Sequence, residues 1–168
     1  MLIIGLVSSF AEPKKTIDEF LGIRWSASCA DAQRQMLTKP GMKLFHQNER
    51  VLEFSGGTFL DTPAELFVLV FAGDRFFQAD VFYRVGSRDT LYAGERRSVY
   101  DKLKAQLVKE YGPPVSSGKD GLAGWKLRSG SPANGAVSVE LEFWKNDKIR
   151  VAFVNQTEKG GGNTPAPK

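Results

Sequence analysis

The clearest periodicity in the chain lies between Glu95 and Tyr111. Val99, Leu103 and Leu107 recur every four residues, flanked by Tyr100 and Tyr111, while Arg96, Arg97, Asp101, Lys102, Lys104, Lys109 and Glu110 stay polar. That spacing predicts an amphipathic helix. Gly112 is placed for a left-handed C-terminal cap, and Pro113-Pro114 prevent continuation. A shorter helix is predicted from Ser28 to about Leu37, with Ala32, Met36 and Leu37 on its apolar side. Ser28 is its N-cap, Asp31 follows three residues later, and Lys39-Pro40-Gly41 stop it. The preceding stretch, Phe20 to Ser26, reads as an apolar lead-in and a turn, with Trp25 covering the helix entry.

Period-two alternation fills most of the remainder. Met42–Phe45 and Val51–Phe54 are short strand candidates around the polar turn Gln47-Asn48-Glu49-Arg50. Ala64 to Ala72 is apolar on both faces, which predicts a central strand covered on each side. After a Gly73-Asp74 turn, Phe77, Ala79, Val81, Tyr83 and Val85 alternate with Gln78, Asp80, Phe82 and Arg84. Residues 116–124 and 129–136 read as loops around a short strand at Trp125 to Leu127. Val137, Val139, Leu141 and Phe143 then alternate with Ser138, Glu140, Glu142 and Trp144, and an Asn146-Asp147 turn leads to Ile149, Val151 and Phe153 facing in, with Lys148 and Arg150 facing out. Each half thus carries a helix, a Pro/Gly stop, a loop and a long hairpin, so an internal duplication of helix–meander units is expected. The fold class is α+β, a two-layer antiparallel β-sheet with two helices on one face.

The length of 168 residues suits one domain, with 42% hydrophobic residues for its core. Domain bounds of 12–158 follow, with 12–19 as a polar leader and the Gly-rich tail 159–168 as a disordered segment. The net charge of +4 has no long Lys/Arg run, which argues against nucleic acid. Residues 1–11 are apolar, uncharged and end in Ser9-Phe10-Ala11, a small-x-small pattern. They resemble a signal-peptide remnant and are too short for a transmembrane segment. Export to the periplasm is the expectation. The alternative is a cytoplasmic domain with Leu2 to Val7 in its core. Ser26-Ala27-Ser28-Cys29 mimics a lipidation site, but Asp18, Glu19 and Arg24 interrupt the apolar region such a site needs. Cys29 is read as a small filler at the first helical position.

Chemistry is sparse. One Cys and one His, Cys29 and His46, do not make a zinc set, and no Gly-x-Ser-x-Gly elbow offers His46 a nucleophile. His46 is read as a surface residue, and neither cofactor nor metal is expected. Glu140 and Glu142 share one strand face at about 7 Å, a spacing more often solvated than catalytic. Ser55-Gly56-Gly57-Thr58 lacks the Lys-Ser/Thr of a phosphate loop and reads as a bulge or tight connection. Phe82 and Trp144 are the anomaly. They occupy positions that should face water, in company with Arg84, Glu140, Glu142 and Arg150, which gives an aromatic patch with a charged rim.

The phrase Leu21-Gly22-Ile23-Arg24-Trp25-Ser26 before one helix and Lys109-Glu110-Tyr111-Gly112-Pro113-Pro114 closing the next resemble small exported bacterial proteins. Within that group the plan is similar to the outer-membrane assembly lipoprotein (SmpA/BamE) and β-lactamase-inhibitor-protein modules. The resemblance implies helices on one face of an antiparallel sheet and a function in binding other proteins. The chain departs from them in lacking a lipidated Cys and any cysteine pair, and no functional residue is carried over. The expected function is a non-enzymatic binding module with another envelope protein as partner. The alternative is a small hydrolase or small-ligand carrier with its site near residues 55–58.

Overall fold

In the computed structural model, which describes residues 17–85, 93–118, 121–128, 135–144 and 148–159, the alternating segments form an antiparallel sheet of eight strands. The signal-like residues 1–11, the tail beyond Lys159 and the Asn146-Asp147 turn lie outside the described residues. The chain enters through a hairpin of β1 (Glu19–Phe20) and β2 (Ile23–Arg24), then α1 (Cys29–Leu37). β3 (Lys43–Gln47) and β4 (Val51–Ser55) follow, then a small separate hairpin of β5 (Thr58–Phe59) and β6 (Thr62–Pro63). β7 (Leu66–Ala72) and β8 (Arg75–Arg84) lead to α2 (Ala93–Tyr111). The chain closes with β9 (Ser116–Ser117), β10 (Ala123–Arg128), β11 (Ala136–Trp144), β12 (Lys148–Asn155) and the single turn α3 (Gln156–Lys159). The strand order is β3-β4-β7-β8-β12-β11-β10-β9, so β8 and β12 meet at the centre. The fold is mixed α+β on an antiparallel sheet, as the alternation predicts.

The register builds the core. Phe54, Phe67, Val81, Val151, Leu141 and Ala123 lie opposite one another across six strands, and each is fully buried. Elements outside the sheet converge on this inner face through aromatic rings. Phe20 and Phe59 pack on Phe153 at 5.3 and 5.7 Å, Tyr111 meets it at 6.3 Å, and Tyr100 stacks on Phe143 at 4.5 Å. Trp25 lies over Phe76 at 4.9 Å, and its indole N–H donates to the Ile17 carbonyl at 3.1 Å. Trp125 donates to the Gly112 carbonyl at 2.8 Å and Tyr83 to that of Phe59 at 3.1 Å. Trp25, Tyr83 and Trp125 therefore bring large apolar areas inside with the N–H or O–H of each paired.

Local chemistry explains the termini. The Ser28 hydroxyl accepts from the Asp31 amide at 3.1 Å and donates to the Asp31 carboxylate at 2.8 Å, while Asp74 from the β7–β8 turn accepts from the Cys29 amide at 2.8 Å. Gly112, with φ of 81°, ends α2 as its position predicts.

The structure departs from the sequence pattern at several positions. Leu37 is 48% exposed, because α1 ends there and its buried side is carried by Ala32 and Met36. In β8 it is Phe76, not Phe77, that enters the core. A bulge between the pairs Val70–Gln78 and Phe71–Phe76 makes Phe77 the extra, half-buried residue. The polar leader is structured at its end, where Ile17 is buried and Glu19–Phe20 form β1. The loop expected over 116–124 contains β9, paired with Ala123 and Gly124. β7 lies inside the sheet between β4 and β8, with Phe67, Leu69 and Phe71 buried and Leu66, Val68 and Val70 half-buried. On β12, Ala152 and Val154 are buried although they alternate with the core positions.

Candidate functional site: the outer sheet face

The face opposite the core is ordered in cross-strand rows. Val68, Asp80, Ala152 and Glu140 form one row, Leu66, Phe82, Arg150 and Glu142 the next, and Arg84, Lys148 and Trp144 a third. Phe82, Arg84, Arg150, Glu140, Glu142 and Trp144 therefore share three neighbouring strands, β8, β12 and β11. The period of two puts them on one face, and the β8–β12 pairing puts them together.

Within this group Phe82 and Trp144 meet edge to face, with ring centroids 6.1 Å apart. The Arg150 guanidinium lies 4.8 Å from the centre of the Trp144 ring, within reach of its π face. Two carboxylates hold Arg150 there. Its Nε donates to Asp80 Oδ1 at 2.9 Å, one terminal nitrogen forms an ion pair with the same oxygen at 2.7 Å, and the other terminal nitrogen donates to Glu142 Oε1 at 2.7 Å. Gln78 donates to the second Asp80 oxygen at 2.8 Å. The Asp80 side chain is 9% exposed and that of Arg150 16%. Burial pushes the Asp80 carboxyl above the ordinary carboxylate range, against the opposing pull of Arg150 and Gln78. The same burial works against the Arg150 charge, but Asp80 and Glu142 outweigh it and hold the guanidinium above its ordinary value.

The remaining expected residues sit around this cluster. Arg84 pairs with Glu65, which Lys148 also approaches at 3.2 Å. Glu140 is exposed, opposite Ala152. Arg96 of α2 donates to the carbonyls of Trp144 and Lys148 at 3.0 and 3.4 Å, fastening the facing ends of β11 and β12. The sequence pattern does not single out Asp80, Glu65 or Lys148. Asp80 differs from its polar neighbours only through the strand that pairs beside it, which a period of two along one strand does not reveal.

Two other motifs resolve differently. Gly56 and Gly57 both have φ of 80°, and a Cβ on Gly56 would lie 2.3 Å from the Gly41 carbonyl oxygen. Met42 Cε would be 2.7 Å from a Cβ on Gly57. Close approach to residues 41–42 is what calls for the two glycines, in keeping with a tight connection. His46 is exposed on β3, with Asn48 its neighbour at 3.5 Å. Cys29 is a free thiol whose pKa is raised by burial and by Asp74. Among the described residues no three His, Cys, Asp or Glu side chains group to hold a metal, and no helix is long and apolar enough to cross a membrane. No protein-family model, curated protein or solved structure matches the chain significantly.

Proposed function

We propose that this chain is an exported, non-enzymatic binding module that engages another envelope protein through its outer sheet face. Phe82 and Trp144 are the anchors, and Arg84, Glu140, Glu142 and Arg150 are the surrounding polar groups. The observation that carries the reading is the arrangement of Trp144. It is 38% exposed, yet it is braced on one side by Phe82 and on another by a guanidinium held by two carboxylates. An exposed indole fixed in place loses little side-chain entropy on binding, and aromatic residues with Arg dominate binding energy at protein interfaces. Export is supported by the apolar, uncharged stretch that ends in Ser9-Phe10-Ala11.

The reading extends to architecture. α1 with β3, β4, β7 and β8 forms one helix–meander unit, α2 with β9 to β12 a second, and the helices make one layer against the sheet. The support is the strand order, in which the last strand of each run pairs with that of the other. Such a duplication leaves one broad sheet face for a partner, consistent with what the resemblance to protein-binding modules implies.

A Phe82→Ala/Trp144→Ala double variant tests the proposal in pull-downs from envelope extract. The variant keeps the circular dichroism of the parent and loses the retained partner. Retention of every partner by the folded variant overturns the reading.

A further inference from the structure

The cluster beneath the aromatic pair is built in a way that bears on regulation of the same surface, a role that rests on the binding reading. Asp80 accepts two N–H donors, Arg150 Nε at one oxygen and Gln78 at the other, and pairs at the first oxygen with a terminal nitrogen of Arg150, so each carboxylate oxygen is already engaged. A carboxylic acid cannot keep this arrangement unchanged, because one of the two oxygens then carries an O–H donor in place of negative charge. Glu142 holds Arg150 from the other side through one nitrogen and is 25% exposed. Trp144 lies two residues beyond Glu142 on the same strand and face. The position of the guanidinium over the indole is therefore fixed by two anchors, of which Asp80 is the more deeply buried.

We infer that the Asp80–Arg150–Glu142 cluster is an acid-sensitive latch: uptake of one proton from solvent at Asp80 releases Arg150 toward Glu142 and leaves Trp144 unbraced. The proton lands on the Asp80 carboxylate, Arg150 keeps its charge, and no covalent bond changes. Gln78 can turn its amide to accept the new O–H, which leaves Arg150 with a neutral oxygen in place of a carboxylate. The guanidinium then has a full negative charge opposite it only at Glu142, and Coulomb attraction draws it to Glu142 over the neutral Asp80.

Burial already holds the Asp80 carboxyl above its ordinary 3.8, so the latch responds at milder acid than an exposed aspartate would. The sign of the linkage keeps the event local. Between 3.8 and the raised folded-state value the native chain binds more protons than the unfolded chain, so this group stabilises the fold further as pH falls. Other charged groups share the face: Arg84 on β8, Lys148 on β12, Glu140 on β11, Lys126 on β10, Glu53 on β4 and Glu65 ahead of β7. His46 sits on β3, four strands from β12, or about 19 Å at the usual strand spacing.

Acrylamide quenching of tryptophan fluorescence reads the latch without any partner, because Trp25 and Trp125 are 1% and 2% exposed and Trp144 is 38% exposed. A Trp144→Phe chain supplies the background from the other two indoles. On acidification the Trp144 quenching constant rises about twofold, as the indole moves from 38% exposure toward full exposure, before circular dichroism changes. Asp80→Asn shows the higher value at neutral pH and no acid step, while His46→Gln keeps the step. If Asp80→Asn does not fold, Arg150→Lys replaces it: lysine has no planar fork to bridge both acids, so the step is lost there too. A flat wild-type response down to global unfolding overturns the latch, as does the same step in wild type and the cluster variant. Loss of the pull-down result with the quenching step intact would sink the binding reading alone, and the converse would sink the latch alone.

Discussion

Individual residues carry several separable stability terms. Ser28 satisfies a backbone N–H at the start of α1, so Ser28→Ala costs about 1 kcal/mol in chemical denaturation. Gly56 is more demanding. Its φ is 80° and a Cβ would meet backbone rather than a flexible side chain, so Gly56→Ala destabilises more than Gly57→Ala, where the neighbour is the end of Met42. Equal effects of the two substitutions would contradict this packing. Burial, with a smaller contribution from Glu110, pushes the Tyr111 phenol up to about 12 from its ordinary 10.0. In that interval the unfolded chain gives up a proton that the folded chain keeps. Stability from this group is complete below pH 10 and falls as pH rises toward 12, by about 1.4 kcal/mol per pH unit. Tyr111→Phe removes that part of the slope in alkaline urea titrations, and an unchanged slope argues against the burial.

Elements are held by what their rings meet. The β1–β2 hairpin is only two residues per strand, and its place depends on Phe20 and on Trp25 against Phe76. Trp25→Ala therefore costs about 3–5 kcal/mol and exposes the entry to α1, measurable as early proteolysis near residues 17–28. The helices were legible because a four-residue stripe and capping chemistry are local signals, as at Leu103 and Leu107 or at Ser28 and Gly112. The hairpin phase in β8 was not. The run Phe76-Phe77 offers two apolar residues in succession, and which one turns inward is decided by the bulge opposite Val70 and Phe71. β9 was missed because Ser116 and Ser117 have no strand signature and gain their hydrogen bonds from β10. For the candidate site, the alternation identified Phe82 and Trp144 as misplaced aromatics. Asp80 became visible only once β12 lay beside β8.

At the scale of the whole molecule, the β8–β12 seam decides whether the chain behaves as one unit. Seven residue pairs from Gln78–Val154 to Arg84–Lys148 join the two runs of strands, with Val81 opposite Val151 in the core. Ile149→Ala, at a fully buried seam position opposite Tyr83, is expected to cost about 2–5 kcal/mol and to lower a single unfolding transition. Two separate transitions by circular dichroism and fluorescence would contradict a shared core. The same seam unites the aromatic surface, because Phe82 comes from one run of strands and Trp144 from the other. Photocrosslinking in cells tests partner binding at this surface, with benzoylphenylalanine replacing Trp144 and, as a control, the exposed Leu37 on α1. A discrete adduct with an envelope protein is expected from position 144 and none from position 37. Adducts from position 37 alone, or from neither position, would contradict a partner-binding role for the outer sheet face.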